Sequence, residues 1–214
     1  DGHVPDPDRI DAETRRLAEA VARHLEAPLA RAYAGMEVAG AFSPDAVSAG
    51  RRALRLGALS YLSRIDGGTR ARALFGSAGN MTEMQGALAA LIDLGEGDEE
   101  LARFHHRFRD NRLVIDKWFG LQVQHAPGTR AVAVARKLAA RSDFDWKNPN
   151  RFRSVVGALA ANHAGFHHLS GRGYRVVADW LLRLDPLNPQ TAARVSTAFE
   201  TWPRYDAARR RLAQ

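Results

Sequence analysis

Apolar residues recur along this chain at intervals of three and four, with polar residues between them. After Asn148-Pro149, the residues Phe152, Val155, Val156 and Leu159 fall at i, i+3, i+4 and i+7, which is one face of a helix. Ala192, Val195, Phe199 and Trp202 form a similar stripe after Asn188-Pro189. Leu17, Val21, His24 and Leu25 repeat the helical spacing, as do Val47, Leu54, Ala58, Tyr61, Leu62 and Ile65, and again Leu88, Leu91 and Ile92. No run of four to eight residues alternates apolar and polar with β-branched enrichment, and no Asn-Gly or Asp-Gly turn joins two such runs. The pattern predicts an all-α chain.

Helix ends are set by short polar and glycine signals. Asn before Pro is a start signal, because the Asn side chain accepts from an orphaned backbone N–H and Pro already has a helical φ. Asn148-Pro149 and Asn188-Pro189 open two helices this way, and Ser43-Pro44-Asp45 reads as a third such start, for a helix ending at Gly67-Gly68. Residues 1 to 7, with Pro5 and Pro7, are expected to be extended. A long helix capped by Asp8 or Asp11 then runs to about Tyr33, with Pro28 kinking or dividing it. Further helices are expected over Thr69 to Phe75, from Asn80 to the Gly95 to Gly97 break, and over Asp98 to Arg109, Leu113 to Gln124 and Thr129 to Arg141. Tyr174 to Leu184 separates the two Asn-Pro helices, and a last short segment starts at Tyr205. So many helices on short polar loops exceed one bundle, and sequential neighbours lie antiparallel. The expected architecture is an irregular superhelical stack of antiparallel helix pairs, an ARM/HEAT-like α-solenoid forming a single domain over residues 1 to 214, although no fixed repeat period is visible.

Composition narrows the function classes. With 45% hydrophobic and 26% charged residues the chain can bury a core unaided. There is no cysteine, which excludes a disulfide framework and a thiolate metal site and makes the cytoplasm the expected compartment. The longest apolar stretches, such as Val155 to Ala161, fall far short of the roughly 20 residues of a membrane span. The start Asp1-Gly2-His3-Val4-Pro5 reads as that of a fragment. A net charge of +7 raises the question of nucleic acid, but the arginines are spread along every helix among 24 acids, so no nucleic-acid interface is expected. The densest basic run, Arg209-Arg210-Arg211, reads as a solvated helix end.

Candidate chemistry is sparse. His163 and His167 are one helical turn apart, as in H-E-x-x-H, yet Ala164 follows His163 and no third ligand stands at a motif spacing. His105 and His106 are adjacent, point about 100° apart on a helix, and form a surface or groove pair. Asp110, Asp116 and Lys117 are candidates for catalysis, but such residues more often cap and pair helix ends, and Trp118 and Phe119 beside them read as core. Glycine-rich nucleotide loops and the G-x-S-x-G elbow are absent. No catalytic residue and no metal ligand is assigned. Potential donors remain. Arg153 lies off the apolar stripe on a face continued by Gly157, Ala160 and Ala161, and Gln190 and Arg194 stand at i and i+4 on a face of the later helix. Arginines near a helix start suit a carboxylate or peptide carbonyls, but from pattern alone such a side chain is more often simply solvated or half of a weak surface pair, and spacing does not choose.

Five stretches taken together do more. Asn80-Met81-Thr82, Leu113-Val114-Ile115-Asp116-Lys117-Trp118-Phe119, Asn148-Pro149-Asn150-Arg151-Phe152-Arg153, Asn188-Pro189-Gln190 and Arg204-Tyr205-Asp206, in this order, resemble the C-terminal helical domain of bacterial aminopeptidase N, a zinc-dependent gluzincin. The resemblance runs from Asp6-Pro7 to about Asp206. It implies that the zinc ligands, the catalytic glutamate, the amine-recognition motif and the transition-state tyrosine belong to an upstream catalytic domain of the same polypeptide. It also implies a helical superhelix that closes over that domain and encloses a chamber admitting peptides. Carried over by position, Arg153 matches an arginine facing the chamber, and Gln190 and Arg194 match a chamber-facing pair. The function so implied is that of a non-catalytic part of a peptidase that releases N-terminal amino acids. The alternatives are a free-standing helical scaffold for a protein partner and, after it, a basic nucleic-acid binder.

Overall fold

The computed structural model describes residues 4–214. Of the leader expected to be extended over residues 1 to 7, residues 1 to 3 lie outside the described residues, Val4 to Asp6 carry no regular structure, and Pro7 already begins a helix. Every regular element among the described residues is helical. In order they are α1 (Pro7–His24), α2 (Glu26–Gly35), α3 (Ala46–Asp66), α4 (Thr69–Ser77), α5 (Met81–Asp93), α6 (Asp98–Phe108), α7 (Arg112–Gln124) and α8 (Gly128–Ala139). Then come α9 (Pro149–Phe152), a π-helical turn (Arg153–Gly157), α10 (Ala158–Ala161), α11 (His163–Phe166), α12 (Arg172–Leu184), α13 (Pro189–Ser196), a 3-10 stretch (Thr197–Arg204) and α14 (Ala207–Ala213). The chain divides into two compact units, one of Thr14–Arg107 and one of Phe108–Gln214 with the residues up to Glu13.

Side-chain caps start most of these helices. Asn80 accepts from the Glu83 N–H while its own amide donates to the Glu83 carboxylate at 2.8 Å, a reciprocal cap. Asn111 accepts from Val114, Asn162 from Gly165, Asn188 from Thr191 and Asp206 from both Ala208 and Arg209.

Within Thr14–Arg107, α3 is the central element and packs on α2, α4 and α5. Its Ala58, Leu59 and Leu62 are buried, as are Leu74 and Phe75 of α4 and Leu88 and Leu91 of α5. Gly67 and Gly68 end α3 with φ of 64° and 79°, left-handed geometry that glycine takes freely. A Cβ on Gly68 would also stand 2.7 Å from Leu91 Cδ2, so the turn and the core are fitted to each other.

In the other unit the segment from α9 through α10 packs on α7 and α8. Its apolar stripe is buried as the spacing predicts: Phe152, Val155, Val156 and Leu159 are each at most 1% exposed. Beside this stripe Arg151 is buried too, 7% exposed. Its guanidinium pairs with Asp116 of α7, donates to the Asp143 carbonyl and stacks on the Phe119 ring, 4.5 Å from its centroid. Trp118 and Phe119 are core, as expected.

Several expectations are corrected. The first helix is capped by Asp6, whose carboxylate accepts from the Asp8 N–H, rather than by Asp8 or Asp11. It ends at His24 because Pro28 has no N–H to donate to the His24 carbonyl and its ring crowds that group. Leu17 and Leu25 are 65% and 43% exposed, and it is Ala22 that is buried, so the expected stripe does not face the core. In α3, Asp45 alone is the cap, with Ser43-Pro44 outside the helix, and Val47 and Leu54 are exposed. The helix after Asn148 is interrupted by the π turn, and the one after Asn188 tightens to 3-10 from Thr197, leaving Phe199 and Trp202 half-buried. Arg209 is not solvated: it is 2% exposed.

Replacing Arg151 by Ala strands the Asp116 carboxylate in a largely buried setting, and such half-pairs cost about 3 kcal/mol. Urea unfolding of the Arg151→Ala variant is expected to show a loss of about that size, well beyond the ~1 kcal/mol typical of a point mutation.

Candidate functional site

The two Asn-Pro helix starts lead to one groove. Asn148 accepts from the Asn150 N–H at 2.9 Å and from the Arg151 N–H at 3.3 Å, which sets the start of α9. With Phe152, Val155 and Val156 turned into the core, Arg153 is left on the outer side. Its guanidinium donates to Asn150 Oδ1 at 2.6 Å and to the Pro149 carbonyl at 3.2 Å, so the head is held by its own helix start. In α13, Ala192 and Val195 are buried and Arg194 is exposed on the opposite side.

Arg153 and Arg194 line the same groove, of about 390 Å³, together with Gly157, Ala160 and Ala161. The sequence places these small residues on the face of Arg153, and the structure keeps them there despite the π turn. Gln190 is exposed, one turn before Arg194, and is not among the groove's lining residues. Among the described residues no acidic side chain lines the groove. Two guanidiniums above walls of glycine and alanine can donate charge-assisted hydrogen bonds to a carboxylate or to the carbonyls of an extended chain.

The histidine pair belongs to a different arrangement. The rings of His163 and His167 lie 4.9 Å apart, one turn from each other. Each imidazole is engaged by a phenol: His163 Nε2 with the Tyr205 hydroxyl and His167 Nδ1 with the Tyr174 hydroxyl, both at 2.8 Å. His167 is 3% exposed, and burial first, then His163 and Arg209, pushes its pKa down to about 4. Burial likewise raises the Tyr174 phenol to about 12. The Arg209 guanidinium donates to the His167 carbonyl at 2.7 Å and pairs with Asp206, Asp6 and Asp8 at 2.6, 3.0 and 2.7 Å. Among the described residues no three His, Cys, Asp or Glu side chains gather as a metal site. Of the other candidates, Asp116 is taken up by Arg151, Lys117 and Asp110 are exposed, and His105 is half-buried beside an exposed His106.

Sequence reasoning missed Arg151 and Arg209 as buried charges. The available signal for Arg209 was its place three residues after the Asp206 cap; Arg151 carried none, since Asp116 is 35 residues away.

A family model described as Domain of unknown function (DUF3458_C) ARM repeats matches residues 2–214. Aminopeptidase N of Caulobacter vibrioides is 39% identical over 206 residues, covering 94% of this chain and 24% of that protein. Aminopeptidase N of Haemophilus influenzae is 34% identical over 212 residues, covering 97% of this chain and 24% of that protein. The crystal structure of Legionella pneumophila aminopeptidase A in complex with aspartic acid matches 98% of this chain and 26% of that one, with a TM-score of 0.87 at 28% identity. The chain thus spans about a quarter of the length of these curated relatives. The resemblance to aminopeptidase N read from the five sequence stretches holds, and the all-α repeat class is the one that the family description names.

A histidine with a depressed pKa stabilises the fold only while neutral. His167 titrates near about 6.5 when unfolded and at about 4 when folded, so the unfolded chain binds the extra proton between these values. Stability is therefore complete above about pH 6.5 and falls by about 3 kcal/mol as the pH drops to about 4. Urea unfolding across this range is expected to show that slope, and His167→Gln to flatten it.

Proposed function

The chain belongs to the family of DUF3458_C ARM-repeat domains, and on that basis we propose that it is the C-terminal domain of a zinc-dependent aminopeptidase that releases N-terminal amino acids from peptides. In this reading residues 1 to 214 act as one domain, dock on the catalytic domain of the same polypeptide and line its substrate chamber. Zinc and the chemistry belong to that catalytic domain, and this chain contributes binding alone. The absence of cysteine fits a cytoplasmic enzyme, and no helix among the described residues is long and apolar enough to cross a membrane.

The observation that carries the proposal is the convergence of Arg153 and Arg194, about 40 residues apart, on one groove that no acid among the described residues lines. They would hold the C-terminal side of a bound peptide, or its carboxylate, with Gln190 as a further donor one turn from Arg194. Exposed apolar pairs at i and i+7 support docking on another domain: Ile10 and Leu17 of α1 are 49% and 65% exposed, and Val47 and Leu54 of α3 are 73% and 52% exposed. The relatives support the activity, since those compared are aminopeptidases several times the length of this chain.

In the full-length enzyme, Arg153→Ala or Arg194→Ala is expected to raise KM for a peptide of four or more residues by about tenfold or more, because a charge-assisted hydrogen bond contributes about 1.5–3 kcal/mol. A small chromogenic aminoacyl substrate, too short to reach the groove, keeps its kcat and KM. Equal losses on both substrates would point to damaged folding or docking and overturn the assignment. The 214-residue chain alone is expected to hydrolyse no aminoacyl substrate; chelator-sensitive turnover by the purified chain would refute a purely binding role.

A further inference from the structure

A second cavity, of about 310 Å³, lies wholly within Thr14–Arg107. It is lined by the loop Glu37–Phe42, by Arg52 and Arg55 of α3, by Ser77 of α4, and by Asn80 and Glu83 at the start of α5. Its size falls at the lower end of the range for small-molecule sites.

The charges around it are unevenly matched. Four arginines are buried among the described residues: Arg52, Arg55, Arg151 and Arg209. Arg151 meets Asp116, Arg209 meets three carboxylates, and Arg55 meets Glu83 at 2.8 Å. Glu83 is then fully used, because its other oxygen accepts from the Asn80 amide. Arg52 differs. It is 4% exposed, its guanidinium stacks 4.6 Å from the Phe42 ring centroid and donates to the Ser43 carbonyl at 2.6 Å, and it has no carboxylate partner among the described residues. Arg55 stands beside it on the cavity wall, its Nε buried and without a hydrogen-bond partner. A desolvated guanidinium with one neutral acceptor is costly, and a planar anion with two oxygens matches its fork geometry.

We propose that this cavity binds a small carboxylate, held fork to fork by Arg52 with the positive charge of Arg55 beside it. Phe42, resting against the Arg52 guanidinium in the loop over the cavity, keeps the head in place. Glu37, which lies 3.7 Å from Arg55 and whose side chain is 66% exposed, offers an acceptor for an ammonium at the rim. An α-amino acid therefore fits both ends, while a plain carboxylate fits the inner end alone. The site is separate from the Arg153 and Arg194 groove, so it stands whether or not that groove binds peptides.

The test is an NMR titration of the protein carrying labelled arginine, following the Nε–H signals of Arg52 and Arg55 at constant ionic strength. Acetate, L-alanine and inorganic phosphate are the separate probes, with chloride as the reference. Acetate and L-alanine are expected to shift both signals saturably, and Arg52→Lys, which keeps the charge but loses the fork, to weaken binding by about tenfold. Tighter binding of L-alanine than of acetate would assign the amino-acid class, and equal binding the plain carboxylate; both support the site. No saturable response to either carboxylate overturns the proposal, as does saturation by phosphate alone. Undiminished binding by Arg52→Lys also overturns it. The native titration decides even if the variant fails to fold.

Discussion

The pairing of Arg151 with Asp116 is the contact on which the Asn148 to Ala161 segment rests. Helices close their own backbone hydrogen bonds, so side chains must decide how one lies against the next. Apolar stripes supply most of the attraction but little direction. Arg151 supplies direction: it reaches Asp116 on α7, the Asp143 carbonyl after α8 and the Phe119 ring at once. The residue two places on, Arg153, is thereby held outward, over the groove it shares with Arg194.

The backbone of that segment makes its own adjustment. The π turn over Arg153–Gly157 starts at the groove arginine, and Gly157 is one of the groove's walls. A Cβ on Gly157 would meet Arg153 Cβ at 3.4 Å, an ordinary van der Waals contact, so glycine there widens the groove wall without being demanded by the turn.

Signals that act over a few residues were readable from the sequence. The Asn caps at 80, 148 and 188 are local hydrogen bonds, and the last two start helices where Asn-Pro announces them. The stripe of Phe152, Val155, Val156 and Leu159 was readable because it is both periodic and covered. Periodicity does not report what covers a stripe, which is why Leu17, Val47 and Leu54 look like core and are exposed. The shift to 3-10 geometry after Ser196, in a stretch that includes Pro203, is one that no spacing rule contains. The groove was half visible: the faces of Arg153 and Arg194 could be drawn, but only the folded chain brings them together and leaves Gln190 outside the lining. Arg151 was invisible for a simpler reason. Its partner Asp116 stands 35 residues away, beyond the reach of any local pattern.

Arg209 takes this to its limit, for its partner Asp6 stands 203 residues earlier. A chain leaving the ribosome presents Asp6 long before Arg209. The Thr14–Arg107 unit is continuous and can fold while synthesis proceeds. The other unit is discontinuous, and the beginning of α1 must wait for α14 before its two aspartates find their guanidinium. Closing so long a loop costs little more in entropy than closing one half its length, so the delay lies in the order of synthesis and not in the stability of the finished contact.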